Sequence, residues 1–285
     1  MAKIGLIQLD NKMDGDIFVR QQAMLNMAQD CFEEGADLVL LPESFQYAVR
    51  RDIVKDREAL KSIIAVWQEK CSALAKKYHA YFVPWDYNFD DEGNLYNSAY
   101  VLDRSGELIG RYRKTNITYS EIQKGVICGS ELPVFDLDIG KVGIMICFDN
   151  YFPEVAATLG NKGAQMILYP LYGDTLKPQW EIKLKARAVD HNLYVVPCQI
   201  DSQQQVSYTG IIGPCGEVIA RLERDNTYRV VEIDLDREVR SNTAAIKDSK
   251  GENLRQYLHR CRNYKAFGEL CEQGTAPWEW NEIYY

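Results

Sequence analysis

The 285-residue sequence lacks the patterns that mark several large classes of protein. No apolar run approaches the ~18–20 residues that a membrane helix needs. No phosphate loop of the G-x-x-x-x-G-K type is present, and no G-x-S-x-G elbow. The three histidines, His79, His191 and His259, lie far apart, without metal-ligand spacing. The eight cysteines form no C-x-x-C pair. Positive charge is scarce: the net charge is −8, and the densest basic cluster, Arg111-Tyr-Arg113-Lys114, is short. These absences argue against a metal, a nucleotide cofactor, a nucleic-acid partner and a membrane. The N-terminus runs directly into the strand-like Lys3–Leu9, so no secretory leader is expected. The cysteines then read as reduced thiols in a cytoplasmic protein.

What is present is a hydrophobic content of 46%, enough for a sizeable core. Strand-like and helix-like segments alternate in the first half. Lys3–Leu9 and Asp37–Leu41 read as buried strands. Asp16–Glu34 and Arg57–Tyr78 carry apolar residues at helical spacing. Ala80–Asn88, Tyr96–Asp103 and Glu107–Tyr112 read as strands joined by turns at Gly93 and Gly106. A long loop runs to about Leu132, and two strands meet at Asp138-Ile-Gly140. Then come the strand Gln165–Tyr169, a helix after Pro178, the strand Leu193–Gln199 and three more β segments around Gly213-Pro-Cys-Gly216. This mixture predicts an α/β fold with a mixed sheet core and helices outside. Residues 1–240 form the expected domain. Residues 241–285, with Trp278-Glu-Trp280, read as a C-terminal extension that packs on the domain or on a partner subunit.

The most informative stretch is Gly143-Ile-Met-Ile-Cys147-Phe-Asp149-Asn-Tyr-Phe-Pro153-Glu154. A β-branched apolar run ends at Cys147. Asp149 or Asn150 then offers a helix cap, with Pro153 in the first turn. A thiol facing a helix start is expected to have a lowered pKa and to alkylate ahead of the other cysteines. Two further groups follow strands: Glu43 after Val39-Leu-Leu-Pro42, and Lys114 after Leu108–Tyr112. Together they supply a nucleophile, a base and a cation for an oxyanion, which is what cysteine acyl transfer requires.

Glu43 in Leu40-Leu-Pro-Glu-Ser44, Lys114 in Tyr112-Arg-Lys-Thr115 and Cys147 in Ile146-Cys-Phe-Asp149 resemble the Glu–Lys–Cys triad of the nitrilase superfamily of carbon–nitrogen hydrolases. Phe152-Pro-Glu154, Ala186-Arg187-Ala188 with Asn192 and Tyr194, and Gly213-Pro-x-Gly216-Glu217 resemble further motifs of that family, in its order. Two positions depart from it. The usual Pro-Gly late in the long loop reads Cys128-Gly129, and the common arginine before Phe-Pro-Glu is Tyr151. The resemblance covers about residues 3–235. It implies a four-layer αββα sandwich with two mixed β-sheets, and a homodimer or higher homo-oligomer.

It also implies the chemistry. Glu43 takes the Cys147 proton, the thiolate attacks a small-molecule amide, Lys114 holds the oxyanion, and a thioester is hydrolysed with no cofactor and no metal. Glu121 matches the additional glutamate of amidase members. Tyr119, Tyr151 and Tyr172, with Trp180, are expected at the substrate pocket. Asp149 is expected to cap the helix, with Arg187 as a partner. Cys-Phe-Asp resembles the amidase and carbamoylase side of the family more than the nitrilases. Self-association is expected through a face that includes the helices after Cys147 and after Pro178, with Val155, Leu159 and Trp180 either on that face or in the core. Three competing readings are a nitrile hydrolase, a cysteine hydrolase using His191 with Asn192, and a catalytically silent scaffold.

Overall fold

In the computed structural model, residues 1–285 are described apart from 11, 14, 49, 175–178, 202–206, 224–225, 240–253, 264 and 267–285. The first strand, β1 (Ala2–Asp10), explains how the chain builds two facing layers. Antiparallel β13 (Thr227–Ile233) pairs with it from Ala2 to Gln8, and parallel β2 (Leu38–Leu40) pairs with Ile4 and Gly5 on the other side. At its C-terminal end, Leu9 pairs with Ile200 of β10 (Tyr194–Asp201). β1 therefore bridges two layers. Through this junction the two sheets join into one network of 13 strands, nine on its main path and four paired to it from the side.

One layer contains β1, β2, β3 (Tyr81–Val83), β4 (Trp85–Phe89), β5 (Leu95–Leu102), β6 (Leu108–Arg113) and β13. Ala80–Asn88, expected as a single strand, is two: Pro84 cannot donate to a ladder and separates β3 from β4. The other layer contains β7 (Val134–Leu137), β8 (Gly140–Ile144), β9 (Met166–Leu171), β10, β11 (Gly210–Ile212) and β12 (Val218–Arg221). Parallel pairs β1–β2–β3 and β8–β9–β10 form the middle of each layer, and antiparallel hairpins extend them.

Three buried clusters show the layering. Ile4, Leu6, Leu38 and Val83 of one layer meet Val142, Ile144, Leu168 and Val196 of the other. On the outer face of the first layer, Ile7, Val39 and Phe82 pack against α1 (Ile17–Glu33) and α2 (Arg57–Tyr78). On the outer face of the second, Met145, Ile167 and Val195 pack against α4 (Pro153–Asn161) and α5 (Gln179–His191). The order is helix, sheet, sheet, helix, as the family resemblance implied. Helix length follows local signals: the Asp16 side chain caps α1, and the Asp56 side chain caps α2.

Val155 and Leu159 of α4 and Trp180 of α5 are buried in that outer core. Of the two places expected for them they take the core, and no self-association face is built on them. Each lies on the inner stripe of an amphipathic helix and covers this chain's own sheet.

Met1–Arg237 forms one compact unit and Glu238–Tyr285 a second. In the second unit, Leu254–Cys261 is a helix, α6. The Trp278-Glu-Trp280 segment lies outside the described residues. Among the described residues, no helix is long and apolar enough to cross a membrane.

Candidate active site

Glu43, Lys114 and Cys147 each sit just past the end of a strand. β2 ends at Leu40, and Leu41-Pro42 carries the chain to Glu43, followed by Ser44 in the left-handed region at φ 59°. β6 ends at Arg113, and the amide of Lys114 is fixed by the carbonyl of Asn97 at 2.8 Å. β8 ends at Ile144, and Cys147 opens a 3₁₀ turn, Cys147–Tyr151. Cys147 has φ 45°, a conformation that costs a non-glycine residue energy and is held by its surroundings. One of those restraints is the Tyr169 hydroxyl, which donates to the Cys147 carbonyl at 2.9 Å.

The structure brings Glu43, Lys114, Glu121 and Cys147 to the wall of one cavity of about 240 Å3. Lys114 is 1% exposed, and its Nζ lies 3.1 Å from Glu43 Oε1 and 3.0 Å from both oxygens of Glu121. Two buried carboxylates therefore share one buried cation. Although burial alone would lower the Lys114 pKa, Glu43 and Glu121 raise it well above the ordinary value. Burial pushes Glu121 up, but Lys114 and the Thr118 amide and hydroxyl hold it below the ordinary carboxylate range. The Thr118 amide and hydroxyl donate to Glu121 Oε2 at 2.7 and 2.8 Å. That capping box starts the short helix α3 (Tyr119–Ile122), so local chain geometry fixes Glu121.

Asn97 was not anticipated from the sequence. Its Nδ2 donates to Glu43 Oε1 at 2.7 Å and to Glu121 Oε1 at 2.5 Å, and its Oδ1 accepts from Trp85 Nε1 at 2.6 Å. Glu43 Oε2 accepts from the Tyr172 amide at 3.0 Å. The carboxylates are thus oriented from β4, β5 and the end of β9 together.

Cys147 departs from the sequence expectation. Its thiol pKa is raised well above the ordinary value, first by burial and then by Glu43, with Lys114 opposing. No helix N-terminus lowers it, because α4 begins only at Pro153, behind the 3₁₀ turn. The resting form is a neutral thiol beside a base.

Asp149 does not cap α4, whose N-cap is Phe152. The Asp149 carboxylate instead accepts from the Ile146 amide at 2.8 Å, Tyr112 Oη at 2.7 Å and the Asn116 amide at 3.0 Å. It ties the turn carrying Cys147 to the chain after Lys114. Arg187 donates to the Asn150 carbonyl at 3.0 Å rather than pairing with Asp149.

Of the aromatic candidates, Tyr172 lines the cavity. Tyr119 is 52% exposed and is not among the lining residues. Tyr151 donates to Asp174 at 2.9 Å, also outside the lining. Trp180 is 1% exposed and packs edge-on against Tyr208 in the core. The sequence did not single out other residues of the wall, among them Tyr47, Val54, Tyr87 and Lys124. His191 closes α5 against Gly160 and is not among the lining residues.

The chain is 30% identical to omega-amidase NIT2-A of Xenopus laevis, over 73% of this chain and 80% of that protein. It is 27% identical to omega-amidase NIT2 of Mus musculus, over 88% and 95%. Its fold is similar to that of Saccharomyces cerevisiae Nit3, a nitrilase-superfamily member, with TM-score 0.74, 22% identity and coverage of 93% and 96%. It is also similar to an amidase from Nesterenkonia sp. AN1 that carries acrylamide added at its active-site cysteine, with TM-score 0.72, 21% identity and coverage of 83% and 94%. The family model for carbon-nitrogen hydrolases matches residues 3–242, and the chain belongs to that family.

Proposed function

We propose that this protein hydrolyses the primary amide of a small molecule through a thioester on Cys147. The observation that carries this reading is the convergence of Glu43, Lys114, Glu121 and Cys147 on one cavity from four separate parts of the chain. Glu43 accepts the thiol proton as sulfur attacks the carbonyl carbon. Proton transfer to Glu43 as sulfur attacks fits a neutral resting thiol better than a pre-formed thiolate. The C=O π electrons move onto oxygen. Lys114 exchanges one of its carboxylate contacts for the oxyanion, assisted by the Phe148 amide. The tetrahedral intermediate collapses, the C–N bond breaks, and nitrogen leaves as ammonia with the proton from Glu43. Water, deprotonated by Glu43, then cleaves the thioester to the acid and restores the thiol. Glu121 acts as the fixed counter-ion of Lys114, leaving Glu43 to carry the proton.

The omega-amidase relatives support a substrate whose amide lies at the far end of a short acid. The wall agrees: Tyr47, Val54 and Tyr87 offer apolar surface for a short chain, and Lys124 offers a cation for a remote carboxylate. Matched compounds sharing one acyl chain, as primary amide, N-carbamoyl derivative and nitrile, would test the bond cleaved through ammonia and acid release. The amide is expected to give the highest kcat/KM. A higher value for the nitrile would reverse the assignment. Cys147→Ala is expected to keep the circular dichroism spectrum and lose turnover. Substantial hydrolysis by that variant would rule out the covalent path.

A further inference from the structure

A second cavity, of about 260 Å3, lies on the far side of β6 from Glu43 and is lined by Arg111 and Arg113. The two side chains, two residues apart on a strand, share one face of the sheet. Both are half-buried. Arg113 is stacked on the Tyr96 ring, with Cζ 4.1 Å from the centroid, and its Nε donates to Asn88 Oδ1 at 3.3 Å. Among the described residues, neither guanidinium makes an ion pair with a carboxylate within 4.0 Å. Elsewhere in a chain of net charge −8, Arg104 is held by two carboxylates, Asp37 and Asp138.

Two adjacent guanidiniums partly withdrawn from water repel one another and lose hydration, a cost that an ion pair would offset. Burial and then Arg113 both push the Arg111 pKa down. The fold bears this cost in a concave site with a stacked, pre-oriented arginine, which suits fork-shaped recognition of an oxyanion. The opposite side of the cavity is the Cys128-Gly129-Ser130 segment, which offers a hydroxyl from Ser130. Gly129 is pressed so close to Arg113 that a Cβ there would lie 2.3 Å from the Arg113 carbonyl. Its amide donates to the Lys114 carbonyl at 2.8 Å, fixing the segment against β6. Glu131 also lines the cavity, but it is exposed at the rim and leaves the net charge of the lining positive.

We propose that the Arg111–Arg113 cavity is a binding site for a small doubly charged oxyanion, separate from the Cys147 cavity. A phosphoryl group and a dicarboxylate share that chemistry. The test uses the half-buried thiol of Cys128 as a reporter in the wall, and the exposed Cys215 as an internal reference. Maleimide modification of the intact protein is followed peptide by peptide, in chloride, inorganic phosphate or succinate at fixed ionic strength. At ten times its Kd, the bound anion should slow Cys128 by about tenfold while Cys215 changes little. Stronger protection by phosphate assigns a phosphoryl ligand, and stronger protection by succinate a dicarboxylate; either supports the site. Arg111→Gln with Arg113→Gln should abolish the protection, with Arg111→Gln alone as the substitute if the double variant does not fold. Equal Cys128 rates in all three salts, or protection that survives the substitutions, would overturn the proposal.

Discussion

Lys114 is the residue on which the active-site electrostatics converge. It opposes the effects that raise the Cys147 pKa, burial first, then Glu43 and Glu121, and it is paired with both carboxylates. Lys114→Met is expected to lower kcat by ~10²–10³-fold, the scale for losing an oxyanion donor in a water-excluded site. The same change removes the cation that favours the thiolate, so the Cys147 pKa should rise further and its alkylation at fixed pH should slow. A variant with unchanged kcat and an unchanged alkylation rate would make Lys114 a structural cation only. Glu43, Lys114 and Cys147 could be picked out as candidates in the sequence because each follows a strand within a motif that resembles the family's, while Glu121 came from the resemblance alone. Asn97 was not legible, because its partners Glu43 and Glu121 are 54 and 24 residues away, and only tertiary packing brings them together. Asp149 was misjudged for a related reason. Asp-Asn before Pro reads locally as a helix cap, but Tyr112 and Asn116 supply donors that the local sequence does not show.

Between elements, close approach and buried charge set the constraints. At Gly5, where β1 meets both α1 and β2, an added Cβ would lie 2.7 Å from Val39 Cγ2 and 2.9 Å from Cys31 Cβ. Gly5→Ala is therefore expected to destabilise the fold by about 1–3 kcal/mol through overpacking, read from chemical denaturation. Unchanged stability would mean that α1 can shift away at no cost. On β4, Asp86 is buried and accepts from Tyr47 Oη at 2.8 Å and the Tyr87 amide at 2.7 Å. Burial raises its pKa from 3.8 to about 8. The folded state then holds a proton that the unfolded state has lost between these values, so stability falls as pH rises from about 4 to 8. The slope approaches 1.4 kcal/mol per pH unit for one proton, as an order-of-magnitude limit. Asp86→Asn keeps the Oδ1 acceptor and cannot titrate. Its stability relative to the parent should rise steadily from pH 5 to pH 8. Parallel stability curves would show that Asp86 is ionised in the fold. The boundaries of α2 were legible from apolar spacing and caps. The break between β3 and β4 sits at Pro84, a local signal overlooked inside an apolar run, whereas the role of Trp180 depended on neighbours far along the chain.

At the scale of the whole molecule, the αββα order follows from alternating segments whose helices each have one apolar stripe and whose central strands are apolar on both faces. The crossing of β1 between layers was not legible, because its apolar pattern is the same whichever strand it meets. Self-association is a separate matter now that Val155, Leu159 and Trp180 belong to the core. What α5 does present to solvent is Ile182, 60% exposed, and Val189, 44% exposed, two turns apart on one side of the helix. A single valine or isoleucine on a surface is ordinary, but two aligned on one helix make a contact stripe when a second copy brings the same stripe around a two-fold axis. The family resemblance points to that arrangement. Light scattering at micromolar concentration should give a mass of at least twice 32.7 kDa. Ile182→Glu with Val189→Glu should shift it toward the monomer without altering the circular dichroism spectrum, since both side chains point away from the core. A parent protein that scatters as a 32.7 kDa monomer would refute the association. An oligomer that survives the double substitution would place the contact on another face.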